Sequence, residues 1–277
     1  MTTIAILGAG GKMGFRITKK LVDAGYDVRA VEIGEAGRTR LSEAGITSSG
    51  SVEEGVKGAQ VVILALPDTI IGKVSNDIAP LLSAGTMLLI LDAAAPYAGV
   101  LPDDRPDLTY FVGHPCHPPV FNDETDPAAR KDFHGGVAKQ AIVCALMQGP
   151  EEHYPLGEKI CQDMWSPITR THRVTTEQLA ILEPGLSEMV ALPFIDVMSE
   201  AIDECERLGV PREAAFDFLI GHINVELAMW FGYSPKVPSD AAMRLLRWAK
   251  PLVVKETWRE ALSPKVVKEA SELIIRG

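Results

Sequence analysis

Four stretches of the 277-residue sequence hold side chains whose types and spacing suit chemistry. The first is Ile4-Ala5-Ile6-Leu7-Gly8-Ala9-Gly10-Gly11-Lys12-Met13-Gly14, a β-rich run, a glycine-rich turn and a helix start. Glycines there let the turn tighten and let the backbone N–H groups through Lys12 and Met13 approach a pyrophosphate at the helix N-terminus. Glu32 ends the next β-rich run, at about 20 residues further on, where a carboxylate accepts hydrogen bonds from both ribose hydroxyls of an adenosine. It repels a 2′-phosphate, so NAD is expected over NADP, a preference that Arg38 and Arg40 nearby would soften. Leu66-Pro67-Asp68 follows a further apolar run and is expected to line the same cofactor. A structural turn with a solvated Glu32 is the bland alternative, and the strand–turn–helix–acid context weighs against it.

The second stretch is Gly113-His114-Pro115-Cys116-His117-Pro118-Pro119. Prolines stiffen this loop and hold two imidazoles beside the end of a strand, where His114 and His117 can serve as base, acid or ligand. Cys116 reads as a small packed side chain rather than a soft ligand. The third is Leu182-Glu183-Pro184-Gly185-Leu186-Ser187-Glu188, in which an acid among apolar neighbours at a helix break needs a partner. Glu183 is the better candidate of the two acids. His222 and Glu226, four apart on one helix face, suit a metal, but an ordinary i,i+4 pair is the preferred reading.

These groups need a scaffold that brings them together. Up to about residue 145 short apolar runs (Ile4–Leu7, Asp27–Ile33, Val61–Leu66, Met87–Leu91) alternate with helical stretches such as Lys12–Asp23. That alternation predicts a parallel sheet with right-handed crossovers, and runs apolar throughout fit strands covered on both faces. One more strand is expected at Ala141–Met147. From Thr175 the pattern is helical: Thr175–Leu208, kinked or divided at Pro184-Gly185, then Arg212–Phe231, Ala241–Ala261 and Lys265–Ile275. The expected fold is therefore α/β, an N-terminal Rossmann doubly wound sheet (residues 1–174) followed by an all-α C-terminal domain (175–277) that binds substrate and dimerises.

On the glycine turn, Glu32, the run ending at Pro67 and the helical second half, the chain resembles the 6-phosphogluconate/3-hydroxyacid and prephenate dehydrogenase-like superfamily. More narrowly, Gly113 to Pro119 with Glu183-Pro184-Gly185 resembles the D-apionate oxidoisomerase family. That resemblance implies NAD-dependent conversion of a branched sugar acid, D-apionate, to 3-oxo-isoapionate. Hydroxyacid dehydrogenases of the superfamily carry a Lys and an Asn on the first interdomain helix, whereas Thr175 to Val197 contains neither. A Lys-based mechanism is thus not expected. A His from one domain facing a carboxylate from the other suggests a divalent metal instead, with His114 and Glu183 as ligands and His117 taking a hydroxyl proton. Hydride transfer to NAD followed by metal-assisted hydroxymethyl migration is the expected chemistry. The alternatives are simple dehydrogenation of a hydroxy acid or prephenate-type substrate, and a non-catalytic NAD-sensing protein.

Composition bounds the partners. A net charge of −10 makes nucleic acid and anionic membranes poor partners. The apolar runs are too short to span a bilayer, and the N-terminus lacks the pattern of a signal peptide. The four cysteines are scattered without a C-x-x-C pair and read as reduced thiols, so a cytoplasmic location is expected. Trp230-Phe231 and the apolar face of Ala241–Ala261 suggest a homodimer surface.

Overall fold

A computed structural model describes residues 1–277. Eight strands form one sheet: β1 (Thr3–Leu7), β2 (Asp27–Val31), β3 (Ser48–Ser49), β4 (Val61–Leu64), β5 (Met87–Ile90), β6 (Thr109–Pro115), β7 (Gln140–Gln148) and β8 (Ile168–Arg173). Their order is β3-β2-β1-β4-β5-β6-β7-β8. The first six give the doubly wound order 3-2-1-4-5-6. Helices α1 (Lys12–Asp23), α2 (Glu35–Glu43), α3 (Val52–Val56), α4 (Asp68–Ile78) and α5 (Ala94–Ala98) lie between these strands, and α6 (Tyr154–Met164) joins β7 to β8.

The pairing is parallel throughout except between β6 and β7. The connection between those two strands carries only a short 3-10 turn at Ala129–Lys131. Without a helix to cross the sheet face, the chain returns on the same edge and pairs antiparallel. Sequence patterning found neither β6, α6 nor β8. Gly113, His114 and Pro115 accordingly belong to a strand end rather than to a loop.

Period-two alternation splits the central strands between two cores. Ile4, Ile6, Val61, Ile63, Met87 and Leu89 face one side with α1 and α6 residues such as Ile17, Leu21 and Ile160. Ala5, Leu7, Val62, Leu64, Leu88 and Ile90 face the other with Ile71 and Ile78 of α4. Burial on both faces is why these strands read as unbroken apolar runs. Each fully buried Ile or Leu stabilises the fold by about 1.5–3 kcal/mol relative to exposure, so the carboxyl ends of β1, β5 and β6 stand on a rigid base.

The helical half opens with α7 (Thr176–Ala180) behind a capping box: Thr175 Oγ1 accepts from the Gln178 amide at 3.1 Å, and Gln178 Oε1 from the Thr175 amide at 2.9 Å. At Pro184-Gly185, where a kink or a division is expected, the α-helical stretch is divided. Ile181–Ala191 is π-helical, with Pro184 inside it. The wider turn accommodates a residue that has no N–H to donate and whose ring would clash with the carbonyl four residues back in an α-helix.

Two compact units result: residues 1–184 with 267–277, and residues 185–266. Helical structure begins where composition changes, near 175, but compactness divides the chain ten residues later and returns the last helix to the first unit. That helix, α11 (Pro264–Arg276), buries Val267, and its Lys268 Nζ donates to the Tyr97 carbonyl at 2.6 Å. The second unit holds α8 (Leu192–Arg207), α9 (Arg212–Trp230) and α10 (Asp240–Val253). No helix is long and apolar enough to cross a membrane.

Candidate active site and cofactor cradle

The candidate cofactor cradle lies where β1 turns into α1. Gly8 has φ +78°, and a Cβ there would stand 2.3 Å from the Ala65 carbonyl oxygen. A Cβ on Gly14 would stand 2.0 Å from the Gly8 carbonyl oxygen. Only glycine at both positions lets the helix start close against the turn. Gly11 precedes α1 without a side-chain cap, so no side chain occupies the first amides of the helix, through Lys12 and Met13. Gly10 lies between them, and its amide donates to Glu32 Oε2 at 2.9 Å while the Gly34 amide donates to Oε1 at 2.8 Å. Arg40 Nη1 donates to the Gly10 carbonyl, which ties that guanidinium to the turn itself. Pro67 precedes α4, with Asp68 in its first turn and Leu66 packed against the second core. These residues lie at the carboxyl ends of β1, β2 and β4, the edge where open α/β sheets bind ligands.

A second group forms at the carboxyl ends of β5 and β6. Asp92, His114 and Glu183 each present one donor atom, all within 4.8 Å of one another. All three belong to the first compact unit, so Glu183 does not reach His114 from the other unit, as the sequence suggests. His114 Nδ1 lies 2.9 Å from the Leu91 carbonyl. A carbonyl only accepts, so Nδ1 carries the proton and Nε2 keeps its lone pair for a ligand. Asp92 Oδ1 accepts from the Ala94 amide at 2.5 Å and so fixes the carboxylate at the start of α5. Glu183, partly buried, is the third residue of the π-helical segment.

Sequence reasoning missed Asp92. The signal was an acid directly after the apolar run Met87–Leu91, at the ligand-binding end of a parallel strand. The donor set itself tests whether a cation fits. Two ligands each about 2.2 Å from one ion stand at most about 4.4 Å apart. One imidazole and two carboxylates at this spacing need only a small contraction, and mixed N/O donors suit Zn, Mn, Mg or Ca.

His117 stands beside this group, its ring 6.2 Å from that of His114 and at a right angle to it. It is the one non-glycine residue with positive φ, at +61°. Such a backbone costs about 1–3 kcal/mol and persists only where its surroundings hold it. Its Nδ1 donates to the His134 carbonyl at 3.3 Å, leaving Nε2 as an acceptor. Burial first, then the neighbouring charges of His114, His134 and Arg16, push this imidazole below its ordinary value. These outweigh the hydrogen bond to the His134 carbonyl, which acts the other way, and favour the neutral form that can accept a proton.

Two other sequence candidates stay outside the group. Cys116 is exposed rather than packed, because it follows the buried Pro115 at the strand end. His222 Nδ1 donates to the Phe218 carbonyl of its own helix at 2.7 Å and stacks on that ring, and neither it nor Glu226 joins the donor cluster.

Comparison with known proteins places this geometry. Residues 122–275 match the family model for the phosphogluconate dehydrogenase (decarboxylating) C-terminal domain, and residues 3–96 that for coenzyme F420-dependent NADP oxidoreductases. The D-apionate oxidoisomerase of Rhizobium rhizogenes is 52% identical over 275 residues, 99% of this chain and 100% of that protein. The D-apionate oxidoisomerase of Cupriavidus necator is 51% identical, over 96% of this chain and 97% of that one. A crystal structure of a semialdehyde dehydrogenase NAD-binding protein from Cupriavidus necator, in complex with calcium and NAD, superposes with a TM-score of 0.96 at 50% identity, covering 99% of each chain. The glycine turn, the doubly wound sheet and this similarity across almost the full length lead to one conclusion: the chain belongs to the D-apionate oxidoisomerase family.

Proposed function

We propose that this enzyme oxidises D-apionate with NAD and rearranges the product to 3-oxo-isoapionate, at the site formed by Asp92, His114, Glu183 and His117. The observation that carries the reading is the convergence of an N/O donor triad with the His117 imidazole at the carboxyl edge of a doubly wound sheet. Gly8, Gly10, Gly11 and Gly14, with Lys12 and Met13, would hold the pyrophosphate, Glu32 the adenosine ribose, and Leu66, Pro67 and Asp68 would line the cofactor. NAD supplies the hydride acceptor. Asp92, His114 and Glu183 would hold a divalent cation, whose chemistry there is to polarise vicinal substrate oxygens.

His117 Nε2 takes the proton from the C2 hydroxyl as the C2 hydride departs, which leaves a 2-oxo-3-hydroxy acid. Once that first proton has passed to solvent, the same nitrogen takes the proton of the C3 hydroxyl and hands it on to the C2 oxygen. The C3–hydroxymethyl bond breaks, its electron pair forms the new bond to C2, the C3 oxygen becomes a carbonyl and the C2 oxygen receives the proton. Carbon, oxygen and hydrogen balance, and only the first step changes oxidation state.

The test is nicotinamide reduction with purified protein, NAD and D-apionate, with and without a chelator, followed by metal back-titration and product identification. Turnover that vanishes on chelation, returns with a metal and yields the rearranged acid is the expected result. Chelator-insensitive turnover refutes the metal, and an unrearranged 2-oxo acid as final product restricts the enzyme to simple dehydrogenation. No turnover, with NADH still bound, favours a sensor.

Glu32 underlies the expected preference for NAD. Glu32→Ser removes the carboxylate that opposes a 2′-phosphate, and the ratio of Kd values for NADPH and NADH should fall by roughly 10-fold or more, worth about 1.4 kcal/mol. An unchanged ratio assigns the preference elsewhere.

A homodimer completes the proposal, with a cytoplasmic location. Phe218, Trp230, Phe231, Leu245, Trp248 and Leu252 are all more than half exposed, and none of the residues of α9 or α10 is buried. A 19-residue helix as apolar as α9 needs covering on more than one side. Light scattering should give twice the 29.9 kDa chain mass, and a single-chain mass at working concentration refutes the dimer.

A further inference from the structure

The loop 132–138 is built around one carboxylate. Asp132 Oδ1 accepts from the amides of His134 at 3.2 Å and Gly135 at 2.9 Å. Its Oδ2 accepts from the amides of Val137 at 2.8 Å and Ala138 at 3.0 Å. Although burial works against it, these four bonds hold the carboxyl below its usual range. So many amides turned inward on one side chain leave the loop's carbonyls facing outward, where they meet other elements.

Two of those carbonyls dock the loop on α1, the helix of the glycine turn. Arg16 Nη2 donates to the His134 carbonyl at 3.1 Å, and Lys20 Nζ to the Gly136 carbonyl at 2.9 Å. The His134 carbonyl also accepts from His117 Nδ1. One backbone oxygen thus sets the tautomer of the imidazole beside the donor triad and ties it to the cofactor helix. The link helps to hold His117 in a left-handed backbone conformation that few non-glycine residues adopt.

We propose that Asp132 is a positioning residue of the reaction: by shaping the loop it aims the His134 carbonyl at His117 Nδ1, and so leaves Nε2 as the proton acceptor. The proposal rests on the reading of His117 as the base. Asp132→Asn is close in shape but turns an amide N–H₂ toward two backbone N–H groups, so one pair of loop bonds is lost.

The experiment compares the full-length wild-type chain, Asp132→Asn and His117→Gln, with nitrogen-15-labelled histidine to read the His117 tautomer. NADH affinity is measured beside turnover of D-apionate. For Asp132→Asn the expected result is a shift of His117 from a single Nδ1–H tautomer to a mixture. With it kcat should fall about 10-fold or more, the usual effect of losing an orienting partner, and NADH affinity should stay within about 2-fold. An unchanged tautomer overturns the proposal, whatever happens to kcat, because the loss would then be structural. A shifted tautomer with unchanged kcat also overturns it. If His117→Gln retains full turnover, the base assignment fails, while the tautomer readout still reports on Asp132 separately. If Asp132→Asn does not fold, Asp132→Ser, which keeps one acceptor, is read in the same way.

Discussion

Glu183→Gln is expected to lower metal-dependent turnover roughly 1000-fold, about 4 kcal/mol of barrier, and to leave NADH binding intact. The substitution keeps the shape of a side chain in a π-helical segment, so the backbone of Ile181–Ala191 has no reason to move. What changes is charge: of the triad's two carboxylates one becomes a neutral amide, a weaker ligand for a hard cation. The glycine turn and Glu32 engage separate parts of the sheet edge, so cofactor affinity serves as the folding control. A titration of activity against added metal should show the half-saturating concentration rising together with the fall in rate. Retained turnover at low metal would falsify Glu183 as a ligand. Asp92→Asn provides an independent check, because it alters the other carboxylate from a different element.

Gly14→Ala is expected to lower NADH affinity by roughly 10-fold or more and to cost about 1–3 kcal/mol of stability, as overpacking does. The added methyl carbon would meet the Gly8 carbonyl oxygen at 2.0 Å and the Gly8 carbonyl carbon at 2.9 Å. Both atoms are backbone, and both belong to a turn already held by the amide of Gly8 on the Val31 carbonyl and that of Gly11 on the Gly8 carbonyl. No side chain can swing away, so α1 must lift from the turn. That movement displaces the amides proposed to hold the pyrophosphate. Thermal unfolding should drop by several degrees, at about 2–4 °C per kcal/mol for a chain of this size class. An unchanged melting temperature together with unchanged affinity would show that the turn opens more easily than its geometry suggests.

Where sequence and structure agree, the determinants are local. A strand, a glycine turn and a helix are contiguous in residues 4–14, and each is enforced by the backbone properties of its own residues. Glu32 follows at a separation that the βαβ unit itself dictates. His114 and Glu183 stand out because polar groups amid Pro- and Leu-rich surroundings need a partner, although nothing local says which. The Thr175 capping box is equally local, and it marks the start of the helical half within a residue.

Where they differ, the deciding contact is distant in the chain. Asp92 looks like an ordinary acid ending an apolar run. It becomes a donor only because β5 and β6 pair with Ile90 opposite Val112, two residues short of Asp92 and His114. The response to Pro184 also lies beyond local rules. An isolated helix would break there, but a chain anchored by α7 on one side and continued by α8 on the other widens into a π turn and carries Glu183 with it. Asp132 offered no signal at all, since an acid before a Gly-Gly pair is a common loop composition. Its importance arises from the outward carbonyls that meet α1 and His117. The sequence by itself thus determined the dinucleotide fold and singled out three members of the candidate site, His114, His117 and Glu183, because short-range sterics and hydrophobic periodicity act within each element. Tertiary structure alone decided the second carboxylate, the tautomers of both imidazoles and the unit to which Glu183 belongs, because strand register and loop docking are set by packing between elements far apart in the chain.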